Sequence, residues 1–154
     1  MKPFSSYLTE LFDQPWLHID TTVVRAFNGS WIHNYIYADP ADPKNRQRDL
    51  VVVWEKTNSN SWELMFHRGG SFTASGQGGA GGVFASVLDA AEKFMKHTKP
   101  AFITFSASKS MGSSRERAYG ALVKRFASRY GYTVDSAMSG GATALWKLRR
   151  NTEW

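Results

Sequence analysis

The chain has 154 residues, 42% hydrophobic and 14% aromatic, so it is too apolar for disorder and long enough for one domain with its own core. The absence of cysteine excludes disulfides, thiolate metal sites and a Cys nucleophile. The formal charge of +6 lies in the last third: residues 1–108 carry ten Lys and Arg against ten Asp and Glu, residues 109–154 nine against three.

Met1 to Ser6 lacks the apolar run of a signal peptide, and no stretch approaches the ~18 to 20 apolar residues of a membrane span. A cytosolic single domain over residues 1–154, with no membrane partner, is therefore expected. Tyr7, Leu8, Leu11 and Phe12 fall at helical spacing and predict a short helix over residues 5–13, which Pro15 stops. From Trp16 the pattern changes to short β-rich runs. Val23–Phe27 and Trp31–Ala38 flank Asn28-Gly29-Ser30, a strong hairpin signal. Asp39–Asp49 reads as a polar loop, Leu50–Lys56 as a buried strand, Thr57–Ser61 as a turn and Trp62–His67 as the next strand. Arg68-Gly69-Gly70 reads as a bulge or turn before Ser71–Ser75, and this half is expected to be an antiparallel meander.

Val83–His97 carries Val83, Phe84, Val87, Leu88, Ala91, Phe94 and Met95 at helix spacing, with charges on the other side. Pro100 separates it from a strand, Ala101–Ala107. Ser113–Tyr130 is the second amphipathic helix, with Ala118, Tyr119, Leu122, Val123, Phe126 and Tyr130 as its apolar stripe. Ser113 and Glu116 have capping-box spacing, and Gly131 stands where a glycine ends a helix. Tyr132–Val134 and Ala144–Leu148 are closing strands joined through Ser139-Gly140-Gly141, which makes the fold class α+β.

The stretch SGQGGAGGVF, residues 75–84, lies between the meander and the first of these helices. The first N–H groups of a helix lack intrahelical acceptors and sit at the positive end of its dipole, so glycines there let a phosphate approach closely. With the helix starting near Gly82 or Val83, residues 76–82 supply that geometry. A P-loop needs Lys-Ser/Thr after its last glycine, where Val83-Phe84 stand. The dinucleotide fingerprint fits Gly76 to Gly81 only by force, since it opens a parallel sheet rather than following a meander.

A meander, a strand, Q/R-x-x-G-x-G/A at the mouth of a helix, then strand, helix and closing strands is similar to the GNAT acyltransferase superfamily. Gln77-Gly78-Gly79-Ala80-Gly81-Gly82 matches as Q-x-x-A-x-G, with Ala80 in place of the first motif glycine. The resemblance implies that backbone amides of Gln77, Gly78, Gly79, Ala80, Gly81 and Gly82 hold the pyrophosphate of acetyl-CoA or another acyl-CoA. It implies transfer to an amine acceptor, with a general base, Glu63 or His67, from the preceding strand; both also suit an exposed polar face opposite Trp62, Leu64 and Phe66. Arg115 and Arg117, at the start of the second helix, could meet a CoA phosphate or simply be solvated. The family's tyrosine acid, four residues before the helix-ending glycine, corresponds here to Ala127, which leaves Tyr119 two turns earlier as the substitute.

The stretch Phe72–Val134 also resembles a family of small tailed-phage proteins with a glycine loop, a VFA-type helix and an SR-x-x-x-Y helix ending in Gly-Tyr. That implies a phage protein in the cytoplasm of an infected bacterium or in the virion. A non-catalytic alternative is then a virion component or an inhibitor of a host factor. The basic last third, including Trp146-Lys147-Leu148-Arg149-Arg150, suits nucleic acid as a partner, or a half-buried strand. His18, His33, His67 and His97 show no ligand spacing, so no metal is expected.

Overall fold

The structure, a computed structural model, describes residues 14–58, 60–68, 80–108, 113–140 and 143–151. The expected helix over residues 5–13 and the segment 71–75 lie outside these residues. The elements are β1 (Leu17–Arg25), β2 (Trp31–Ala38), a 3-10 turn (Arg46–Arg48), β3 (Leu50–Asn58), β4 (Ser61–Arg68), α1 (Ala80–Met95), β5 (Phe102–Ser108), α2 (Ser113–Tyr130), β6 (Tyr132–Gly140) and β7 (Thr143–Arg150). The fold is α+β, with a mostly antiparallel seven-stranded sheet in the order β1-β2-β3-β4-β5-β7-β6.

Strands β4 and β5 pair in parallel, from Ser61 opposite Phe102 to Leu64 opposite Phe105. Parallel neighbours need a crossover, and here the chain between them contains α1. β7 runs antiparallel to both β5 and β6, with an irregularity in β6 between Val134 and Ser136.

Several boundaries differ from expectation for local reasons. β1 starts at Leu17 and ends at Arg25, leaving Phe27 in the turn, fully exposed. The Ala26 N–H donates to Ser30 O at 2.7 Å and the Gly29 N–H to Ala26 O at 2.8 Å, with Gly29 at φ 89. β3 reaches Asn58 because side chains build the turn: Asn58 Oδ1 accepts from the Asn60 N–H at 3.1 Å, and Thr57 Oγ1 donates to Ser61 O at 3.1 Å. β6 and β7 extend toward each other until Gly140 faces Thr143. Helix α1 begins at Ala80, earlier than Gly82 or Val83, and ends at Met95 rather than His97. Gly131, at φ 78, ends α2 as expected, in the left-handed region that favours glycine.

The chain forms two compact units, each assembled from separated stretches: Met1–Thr22, Asn34–Val52 and Phe66–Thr98 in the first; Val23–His33, Val53–Met65 and Lys99–Trp154 in the second. In the first unit, Tyr37, Leu50, Val52, Phe66, Val87, Leu88 and Phe94 are buried, and Phe66 meets Phe84 edge-on at 6.2 Å. In the second, Phe126 of α2 is the hub. Its ring lies 6.3 Å from Trp54, 5.2 Å from Phe105, 4.9 Å from Tyr130 and 5.7 Å from Tyr132. The period-2 burial of Trp62, Leu64 and Phe66 turns Glu63, Met65 and His67 to the other face of β4.

Candidate functional site

In the first unit, Ala80, Gly81 and Gly82 are the opening residues of α1, so their N–H groups belong to the helix's unsatisfied first turn. Gln77, Gly78 and Gly79 lie outside the described residues. Gly82 has a packing reason of its own: a Cβ built there would overlap the indole of Trp16. The buried Trp16 N–H donates to Ser86 Oγ at 2.7 Å, and Ser86 Oγ donates to Gly82 O at 2.7 Å. Trp16 is thereby clamped against the first turn of α1, and Gly82's missing side chain serves that contact.

Glu63 and His67 lie four apart on one face of β4, and both are half-buried rather than fully exposed. Glu63 belongs to the second unit and His67 to the first. Burial raises the Glu63 carboxyl above the usual carboxylate range, and the charge of Glu55 adds to the rise. Burial lowers the His67 imidazole, which keeps it neutral and able to accept a proton at neutral pH.

In the second unit, Tyr119 is only 3% exposed, and its ring lies parallel to Trp146, 6.2 Å away with 5° between planes. Burial pushes its hydroxyl pKa upward. Ala127 shares the buried side of α2. Tyr119 is placed as a core residue, poorly suited to exchange a proton with a departing group. Arg117 is exposed on α2, while the side chain of Arg115 lies outside the described ones.

A further constellation in the first unit escaped the sequence reading. Tyr37, fully buried, donates its hydroxyl to Asp89 Oδ2 at 2.7 Å, and Lys93 Nζ donates to the same oxygen at 2.7 Å. Lys93 also donates to His18 Nδ1 at 3.0 Å, while His18 Nε2 faces Asp20 O at 2.9 Å and Thr21 Oγ1 at 2.7 Å. Because the Asp20 carbonyl can only accept, Nε2 carries the imidazole proton. The His18 ring packs 5.1 Å from Tyr37 and 5.9 Å from Tyr35. Only the i,i+4 spacing of Asp89 and Lys93 was visible in the sequence; β1 and β2 supply the rest.

No family model, curated protein or solved structure matches the chain. Among the described residues, no group of three or more His, Asp or Glu is placed to hold a metal ion, and no helix is long and apolar enough to cross a membrane.

Proposed function

We propose that the chain is a CoA-dependent N-acyltransferase on a GNAT-like scaffold. Backbone amides of Gln77–Gly82 at the mouth of α1 bind the pyrophosphate of acetyl-CoA or another acyl-CoA. His67 or Glu63, on β4, takes the proton from an acceptor amine. The observation that carries this reading is the connection β4–α1–β5, in which parallel strands are joined through a glycine-rich segment and a helix. In open sheets with parallel strands, ligands bind beyond the strands' carboxyl ends, and a helix N-terminus there favours phosphate.

The amine attacks the thioester carbonyl, its proton passes to the base, and collapse of the tetrahedral oxyanion breaks the C–S bond. A buried Tyr119 and an alanine at position 127 leave solvent to protonate the departing thiolate. Positioning and oxyanion polarisation, with a backbone N–H near residues 74–76 as the donor, then supply most of the rate. Calorimetric titration with acetyl-CoA and CoA tests the reading. Micromolar binding that Gly79→Glu abolishes supports it, and no heat at millimolar ligand overturns it. Gly82→Glu is the wrong probe, because any side chain there displaces Trp16.

A non-catalytic phage protein that binds a host or virion protein is the second reading. It is favoured by the β1–β2 hairpin, where Val23, Val24, Phe27 and Trp31 are all exposed. Apolar side chains left exposed along one hairpin suit an interaction surface.

A further inference from the structure

The two helices carry charge differently. α1 carries both signs, as Asp89, Glu92 and Lys93, and Lys93 is paired with Asp89. On α2 the fourteen residues from Arg117 to Tyr130 contain Arg117, Lys124, Arg125 and Arg129 but no Asp or Glu. All four cations are exposed. Helical periodicity sets Arg117, Ala121, Lys124, Arg125 and Ser128 in one stripe, opposite buried Tyr119, Leu122, Val123 and Phe126. Like charges in such a stripe repel one another, and a surface shaped only by solubility mixes its signs.

The ground between the cations is low. Ala121 and Ser128 are small, and a Cβ at Gly120 would meet nothing within 4 Å. A mid-helix glycine disfavours the helix, and no neighbouring atom requires this one. No large apolar side chain is exposed on the described residues of α2, so the face lacks the wedge that enters a lipid surface and the aromatic anchor of a protein hot spot. What it offers is positive charge on a shallow relief.

We propose that the exposed face of α2 docks on the phosphate backbone of a nucleic-acid duplex. At a rise of about 1.5 Å per residue, Arg117 and Lys124 stand about 10 Å apart, with Arg125 beside Lys124. A duplex presents one charge per about 1.7 Å of axis, so the stripe meets several phosphates at once. Arginine and lysine set on small neighbours contact phosphates rather than base edges, and binding is therefore independent of sequence. Docking of a duplex on this face requires no acyl-CoA, and Lys124 and Arg125 are not among the residues considered for the cofactor.

Fluorescence anisotropy with a labelled mixed-sequence duplex, titrated at several KCl concentrations, tests the proposal. Affinity is expected to fall with salt along a log–log slope of about −3, as about three neutralised phosphates require. Arg117→Ala, Lys124→Ala and Arg125→Ala should each flatten the slope by about one. Lys147→Ala, on β7, should leave it unchanged, with circular dichroism confirming that every variant is folded. No binding at low salt, slopes unaltered by the α2 variants, or poly-glutamate displacing duplex at equal charge concentration would each overturn the assignment.

Discussion

Gly82 and Gly120 both sit inside helices, yet opposite outcomes are expected from giving each a methyl group. At Gly82 the methyl enters space held by the Trp16 indole, so Gly82→Ala should cost about 1–3 kcal/mol in urea unfolding. At Gly120 the methyl meets open space, so Gly120→Ala should stabilise by about 0.5–1 kcal/mol, because alanine loses less backbone entropy on folding. Glu63 gives a pH test. Its pKa is raised in the folded state, so it favours the fold where it is protonated and penalises it as pH rises through the raised value. Glu63→Gln should thus raise the melting temperature at neutral pH, and the gain should fade on acidification. His33 and His67, both lowered by burial, act in the other sense: their contribution is present above the ordinary value of about 6.5 and is lost as pH falls toward the depressed one. None of these environments could be read locally. Glu63 and His67 were visible as a strand face, but how deeply they are buried depends on neighbours far away in sequence.

Between elements, the His18–Lys93–Asp89–Tyr37 network ties β1 and β2 to α1. Its members contribute unequally. Asp89→Ala removes the acceptor of a buried hydroxyl and should cost about 1–3 kcal/mol. Lys93→Met removes a partly exposed cation and should cost less than about 1 kcal/mol, a contrast that equilibrium unfolding of the two variants would measure. Element identity was largely legible in the sequence, because α1, α2, β3 and β4 bury one face at the helix or strand period. Element ends were not. β1 is an edge strand with little buried on either face, so its first residues lack alternation. The start of α1 looked like glycine breakers, because the tryptophan that packs on Gly82 stands near the beginning of the chain.

For the whole molecule, a ligand that binds only the folded chain stabilises it by about 2.7 kcal/mol at a hundred times its Kd. Acetyl-CoA at that excess should therefore raise the melting temperature by several degrees, and Gly79→Glu should abolish the rise without lowering the unliganded value. At this scale the sequence revealed the α+β class and the order of the described elements, but neither the order of strands nor the interleaving of the two units. Nothing local in Thr143–Arg150 says that β7 enters between β5 and β6, because that choice depends on edges the chain makes elsewhere.

The late arrival of β7 bears on how the chain is made. β5 and β6 both leave the ribosome before β7, the strand they share, so each waits with an open row of N–H and C=O groups. Open strand edges on incomplete chains recruit one another, and nascent polypeptides are most vulnerable in that interval. A transcript cut between the codons for Gly140 and Thr143 should yield a product that collects in inclusion bodies, whereas one ending after Asn151 should stay in the supernatant.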